Sequence, residues 1–272
     1  MKIGLIAGAG DFPALFAEKA LQQGYEIYAA AYVNEADRAL SDLVHCLEWF
    51  HLGQVSRLLK YFKKNGVREA VMLGSVQKTR IFTDIKPDFK ALSFIARMGQ
   101  THDDKILTAF ADLLENEGIR IRPSTFLVPE IVNPKGIWTQ RKPSKAETRD
   151  INAGWPIAKE IGRFDIGQCI VVGNGSVLAV EAVDGTDATI KRGAGLSRGN
   201  AVVIKVAKPD QDLRFDMPCS GCETIEAMHS SGATALALEA EKTISFDRRK
   251  MIAKADEYGI AIVSMDSRDF PQ

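Results

Sequence analysis

The sequence predicts an α/β fold: an N-terminal Rossmann-like domain over residues 1–130 joined to a mixed α+β domain over residues 137–272. Three observations carry this. Ile3 to Ala7 is a short apolar strand that runs through Gly8-Ala9-Gly10 into a helix opened by Asp11 and Pro13. Apolar strands then alternate with amphipathic helices, the order that gives a parallel sheet. The stretch 128–136 carries two prolines and a glycine, and beyond it Asn174-Gly175 sits between two apolar runs, a hairpin signal.

The 272 residues suffice for one large domain or two ordinary ones, and 46% hydrophobic content can fill both cores. Thirty-five basic residues balance thirty-five acidic ones, so no overall field favours nucleic acid. No apolar run reaches the ~18 residues of a membrane span, and MKIGLIAGAG is too short and glycine-rich for a secretory signal. Cys46, Cys169, Cys219 and Cys222 are too scattered for a disulfide scaffold. The expected location is cytoplasmic.

In the first half, Phe12, Leu15, Phe16 and Ala20 fall on one helical face, and Gly24 is the stop. A strand is expected over Tyr28 to Tyr32 and helices over Glu35 to Leu43 and Gln54 to Lys64, the last with Val55, Leu58, Leu59 and Phe62 inward. Glu69 to Leu73 is a buried strand ending in Gly74-Ser75-Val76. The turns at Gly8–Gly10 and Gly74–Val76 then meet at the carboxyl edge of the sheet, where ligands collect. Backbone N–H groups there suit phosphate, although a tight packing turn needs the same small residues. The spacing is not that of a dinucleotide fingerprint, and no acid closes the second strand, which argues against an NAD(P)-linked oxidoreductase. Ile81, Phe82, Ile85 and Phe89, interleaved with Lys78, Arg80, Lys86 and Lys90, form either a lipid-gripping segment or a cap on the core. His102, Asp103 and Asp104 open a helix to Asn116, and Ile119 to Arg122 is the next strand.

In the second half, a helix is expected over Thr148 to Ile161, interrupted near Gly154 and Pro156, followed by a hairpin of Cys169–Val172 and Val177–Ala182. Glu181 in that apolar strand requires a partner or a cation. Thr186 and Asp187 open a helix to Arg192. Strands are expected at Ala201–Val206, Ala233–Ala237 and Ile260–Ser264, and helices at Glu223–His229 and Arg248–Glu257. Between them lies KPDQDLRFDMPCSG. As an extended strand it would put Asp212, Arg214 and Asp216 on one face and Leu213, Phe215 and Met217 on the other. Carboxylates suit Mg²⁺ and a guanidinium suits phosphate. Cys219-Ser220-Gly221-Cys222 is a single C-x-x-C without a second pair, so neither a zinc site nor a catalytic thiol is expected.

The ordered set GLIAGAGDFP, GRFDIGQ (162–168), VEAVDGTDATI (180–190) and KPDQDLRFDMP (208–218) resembles the LpxI family, the UDP-2,3-diacylglucosamine pyrophosphatases of lipid A synthesis, over essentially the whole chain. The resemblance implies a Rossmann-like domain and a mixed domain with the substrate between them. It also implies Mg²⁺-assisted hydrolysis (Mn²⁺ as substitute) of the pyrophosphate to UMP and lipid X. The critical aspartate of the family's R-x-D-x-P motif falls on Asp216, as metal ligand or general base. Asp187 and Glu181 are the expected co-ligands, and Asp212 stands behind them. Lys208 and Arg214 are expected on phosphate, and Gln168 and Thr186 on uridine or phosphate. Gly8, Gly10, Gly74 and Ser75 form the opposite wall, Ser75 standing where relatives often carry asparagine. The expected partners are a nucleotide-linked lipid substrate and, transiently and peripherally, the cytoplasmic face of the inner membrane; a homodimer is left open. A non-catalytic nucleotide-sugar binding protein is the alternative, and the crowd of acids near a diphosphate disfavours it unless a cation intervenes.

Overall fold

The computed structural model describes residues 1–76, 86–92, 103–197 and 199–270. The chain divides into two compact units. One is Met1–Pro129 together with Asp212–Asp216; the other is Glu130–Gln211 together with Met217–Gln272.

The first unit contains β1 (Lys2–Ala7), α1 (Phe12–Gln22), β2 (Glu26–Tyr32), β3 (Cys46–Phe50), α2 (Val55–Lys64), β4 (Glu69–Leu73), α3 (Asp103–Asn116) and β5 (Arg120–Ile121). Its sheet runs β3-β2-β1-β4-β5 with every pairing parallel. β1 and β4 read as unbroken apolar runs because both faces of a parallel sheet are covered. Gly4 is required within β1: a Cβ there would come within 2.9 Å of the Phe62 ring. α2 buries Val55, Leu58, Leu59 and Phe62, the expected face. Two expectations change. The helix over Glu35 to Leu43 is only a 3₁₀ turn over Arg38–Leu43, capped by the Asp37 carboxylate, and β3 follows it. Asp11 stands at the start of α1 without a side-chain capping bond; Pro13 in the first turn is the operative start signal.

The second unit contains β6 (Gly136–Ile137), α4 (Lys145–Arg163), β7 (Cys169–Gly173), β8 (Ser176–Val180), α5 (Thr186–Leu196), β9 (Ala201–Lys205), β10 (Cys219–Ser220), α6 (Cys222–Ser231), β11 (Ala233–Glu239), β12 (Ile244–Ser245), α7 (Arg248–Glu257) and β13 (Ala261–Met265). Its mixed six-stranded sheet runs β6-β13-β11-β9-β7-β8. β9, β11 and β13 are parallel, linked through α6 and α7, while β6, β7 and β8 run antiparallel to their neighbours. Ile151, Trp155 and Ala158 of α4 pack in one apolar cluster, and α5, α6 and α7 contribute Ile190, Ile225 and Met251 to another.

α4 is continuous through Gly154 and Pro156 and begins earlier than expected, because Ser144 and Glu147 form a reciprocal capping box. Gly154 lets the helix press onto the sheet, since a Cβ would meet Ile204 Cδ1 at 2.5 Å. The hairpin is closed by Asn174 (φ 51°) and Gly175 (φ 77°), and the Asp150 carboxylate accepts both of their N–H groups at 3.0 and 2.7 Å.

Candidate functional site

At the carboxyl edge of the first sheet, the turns after β1 and β4 are zipped together. Gly8 N–H donates to Leu73 O at 2.8 Å, Ala9 N–H to Ser75 O at 2.8 Å, and Ser75 N–H to Ala9 O at 3.0 Å. A Cβ on Gly8 would lie 2.4 Å from Ser75 O, and one on Gly74 (φ +85°) 2.6 Å from Ala9 O. Both glycines are therefore demanded by backbone approach. Gly10 (φ +95°) meets nothing, so its conformation is what requires glycine there. Against these turns lies a cavity of about 460 Å³ within the same unit, whose lining includes Gly8, Gly74, Phe50, Leu58, Met72 and Phe215.

Phe215 belongs to the segment Asp212–Asp216, which packs with the first unit although it follows the second unit's β9 in sequence. It is a turn, not the expected strand: Phe215 and Asp216 N–H donate to Asp212 O at 3.4 and 3.2 Å, and the Asp212 carboxylate accepts Arg214 N–H at 3.0 Å. Asp212, Arg214 and Asp216 therefore do not share a strand face. Arg214 donates through Nε and Nη2 to both Asp212 oxygens (2.7–3.1 Å) and through Nη1 to Glu115 Oε1 of α3 at 3.0 Å. Arg214 O accepts Ser124 N–H at 2.6 Å. Burial alone would raise the Asp212 carboxyl, but Arg214 holds it below the usual range. The guanidinium expected on phosphate is committed to carboxylates.

In the second unit, Gln168, Glu181 and Thr186 are brought together. The Glu181 side chain, 8% exposed just beyond β8, accepts Gln168 N–H at 3.0 Å and the Thr186 hydroxyl at 2.7 Å. Gly167 makes room: a Cβ would stand 2.2 Å from Glu181 O. Lys205, 6% exposed at the end of β9, donates to Thr186 Oγ1 at 3.0 Å and Cys219 O at 2.6 Å. Gln211 Nε2 donates to Gln168 Oε1 at 3.2 Å, and Lys208 N–H donates to Gln211 Oε1 at 3.0 Å. Lys208 Nζ pairs with Asp165 at 2.5 Å. Asp187 is exposed in the first turn of α5. Sequence reading passed over Lys205, Gln211 and Asp165; the lysine inside the apolar run AVVIKV was the available signal.

Family models named LpxI N-terminal domain and LpxI C-terminal domain match residues 2–131 and 134–263. A UDP-2,3-diacylglucosamine pyrophosphatase LpxI from Caulobacter vibrioides is 31% identical over 281 residues, covering 99% of each chain. The chain belongs to the LpxI family. Among solved structures, a CobK precorrin-6A reductase is 10% identical and covers all of this chain and 90% of that one at a TM-score of 0.34. A phosphoribosylglycinamide synthetase from Anaerococcus prevotii is 12% identical, covering 64% of this chain and 32% of that one at 0.26. Likeness at that level carries no argument.

For an LpxI-family chain the donor chemistry bears directly on the expected metal. Among the described residues, no three His, Cys, Asp or Glu side chains form a group that could hold an ion. Both Glu181 oxygens already accept hydrogen bonds. Mg²⁺, however, is ordinarily held by one or two carboxylates plus substrate phosphates, which asks less of the protein. The C-x-x-C thiols are free, and burial pushes the Cys219 thiol up, away from a reactive thiolate. Within the suggested lipid-gripping segment, Lys78, Arg80, Ile81, Phe82 and Ile85 lie outside the described residues, as does His102; Phe89 is 91% exposed. No helix among the described residues is long and apolar enough to cross a membrane.

Proposed function

We propose that this chain hydrolyses the pyrophosphate of UDP-2,3-diacylglucosamine, water adding to one phosphorus as the bridging P–O bond breaks, to give UMP and the diacylglucosamine monophosphate lipid X. The observation that carries the reading is 31% identity over 99% of both chains to a pyrophosphatase of that name. On this reading the first unit is a Rossmann-like layer whose strand order reverses between β1 and β4, with the glycine turns at the switch point. Asp216 acts on the attacking water as general base or holds the cation. Lys205 and Thr186 offer a buried ammonium and a hydroxyl to the diphosphate, and Gln168 a neutral amide to uridine or phosphate. Asp216 would hold Mg²⁺ where the ion is bound, and the ion would supply neutralisation of the charge that develops on the leaving phosphate. The acyl chains would bring the enzyme transiently to a membrane surface.

Incubation with UDP-2,3-diacylglucosamine and Mg²⁺, followed by mass analysis, is expected to show UMP and lipid X in equal amounts. Intact substrate after prolonged incubation would overturn the reading. Chelation with EDTA is expected to stop turnover and added Mg²⁺ or Mn²⁺ to restore it; full turnover in chelator would remove the metal from the scheme.

A further inference from the structure

β9 ends at Lys205, yet the next two residues, Val206 and Ala207, stay buried. Backbone polar groups shut away from water need partners, and past the end of a strand the ladder no longer supplies them. On the β7 side, Val206 N–H donates to Gln168 O at 3.0 Å. On the β11 side, two charged side chains hold Ala207 by both its polar groups. Its N–H donates to Glu239 Oε2 at 2.9 Å, and its carbonyl accepts Lys159 Nζ at 2.6 Å. Lys159, on α4, also donates to the two Glu239 oxygens at 3.2 and 2.9 Å. Glu239, the last residue of β11, is 1% exposed. Burial pulls the Lys159 ammonium below its ordinary value, and Glu239 offsets only part of that. A buried pair of this kind is a poor source of stability, because desolvation cancels much of its attraction. What the pair does fix is the place of Ala207.

Beyond Ala207 the chain turns back onto groups that the hydrolase reading gives to the substrate. Lys208 Nζ pairs with Asp165 at 2.5 Å, and Lys208 N–H donates to Gln211 Oε1 at 3.0 Å. Gln211 Nε2 in turn donates to Gln168 Oε1 at 3.2 Å. α4 passes so near that a Cβ on Gly162 would meet Lys208 Cα at 3.2 Å. All of these residues belong to the second unit.

We propose that Glu239 and Lys159 are positioning residues for substrate binding: by holding Ala207 at its N–H and its carbonyl, they set where Lys208 and Gln168 stand toward the nucleotide diphosphate. The proposal rests on the hydrolase reading above. Lys242 separates position from charge, since its Nζ also pairs with Glu239, at 3.1 Å, but the grip on the Ala207 carbonyl is that of Lys159.

The test follows turnover of UDP-2,3-diacylglucosamine, and calorimetric binding of UDP as an activity-independent probe. Lys159→Met keeps the reach of the side chain and removes the ammonium. It is expected to raise KM about ten-fold, the equivalent of one lost hydrogen bond, with kcat within about three-fold of wild type, because groups that bind ground and transition states alike act on KM. UDP is expected to bind that variant about ten-fold more weakly as well. Lys159→Arg keeps charge and donors and is expected to recover most of the loss. Lys242→Met is expected to leave KM and UDP affinity within about two-fold of wild type, as for an exposed ion pair. Lys159→Met also deprives Glu239 of a buried partner, so its urea midpoint is expected to fall. The double variant Lys159→Met/Glu239→Leu removes both charges and is expected to regain that midpoint while KM and UDP binding stay impaired. A stable double variant with normal KM and UDP affinity would show that the pair serves stability alone and would overturn the proposal. So would a Lys242→Met effect equal to that of Lys159→Met, or an effect of Lys159→Met confined to kcat. If the wild type binds UDP but leaves the diacyl substrate intact, the hydrolase reading falls, and the proposal stands or falls on the UDP affinities of the same variants. A wild type that neither turns over nor binds UDP overturns both.

Discussion

Thr186 joins a buried cation to a buried carboxylate. Its hydroxyl donates to Glu181 and accepts from Lys205, so one oxygen links the two charges, each of which has a further backbone partner in Gln168 N–H and Cys219 O. Thr186→Val keeps the shape and removes that oxygen, leaving a Glu181 oxygen and a Lys205 N–H short of a partner. The expected cost is about 1–3 kcal/mol, read as a lowered urea midpoint at unchanged m-value; a loss below about 0.5 kcal/mol would show that the two charges are held by other groups. Asp216 makes the opposite kind of prediction. It is half-buried at the end of the turn from Asp212, and that turn is fastened by Asp212, Arg214 and Phe215. Asp216→Ala is expected to lower turnover about 10²–10⁴-fold in a protein that still folds, the range for a lost proton-transfer group. Near-normal turnover would take Asp216 out of the chemistry.

At the scale of the element, α4 shows how a charge fastens a helix to its sheet. The Glu147 carboxylate accepts from Arg141 Nη1 and Nη2 at 2.9 Å, from Ser144 N–H at 2.6 Å and from the Thr234 hydroxyl at 2.7 Å. Burial alone would raise its pKa, but these donors outweigh it and hold the group at about 2 against 4.5 unperturbed. A depressed carboxylate contributes its stability above the unfolded value, and that contribution is lost as pH falls from about 4.5 to about 2. Glu147→Gln is expected to cost about 2 kcal/mol at pH 7 and to flatten the acid limb of the stability curve in that window. An unchanged acid limb would assign the limb to other carboxylates. The elements that sequence reading found are those whose cause is local. Asn174-Gly175 needs only its own positive φ angles, and α2 only its periodic face. The Ser144–Glu147 box was equally local and went unread. KPDQDLRFDMP was misread because strict alternation fits a strand, whereas Asp212 bonds the backbone two residues on and folds the segment into a turn.

At the scale of the molecule, Asp212–Asp216 is the part that no local pattern could place. Its partners stand far earlier in the chain: Arg214 meets Glu115, Arg214 O accepts Ser124 N–H, and Phe215 joins the core containing Leu58 and Phe62. The five residues are thus a strap that the second half of the chain lends to the first unit, and it carries Asp216 with it. Residues 132–272 expressed alone would contain Asp216 in sequence but lack Glu115, Ser124 and the apolar seat that fasten its turn to the first unit, so they are expected to be inactive on UDP-2,3-diacylglucosamine. Residues 1–131 supplied in trans would offer Glu115, Ser124 and the apolar seat for Phe215, and are expected to restore turnover in a saturable way. Arg214→Ala in the second fragment removes the bond to Glu115 and the side-chain bonds to Asp212, and should shift that saturation to higher concentrations of the first. Because Arg214 is half-buried and bidentate, the shift should exceed the few-fold effect of an exposed ion pair. Restoration that is indifferent to Arg214 would show that the turn is seated by Phe215 alone, and full activity of residues 132–272 without the first fragment would show that the strap has no part in placing Asp216.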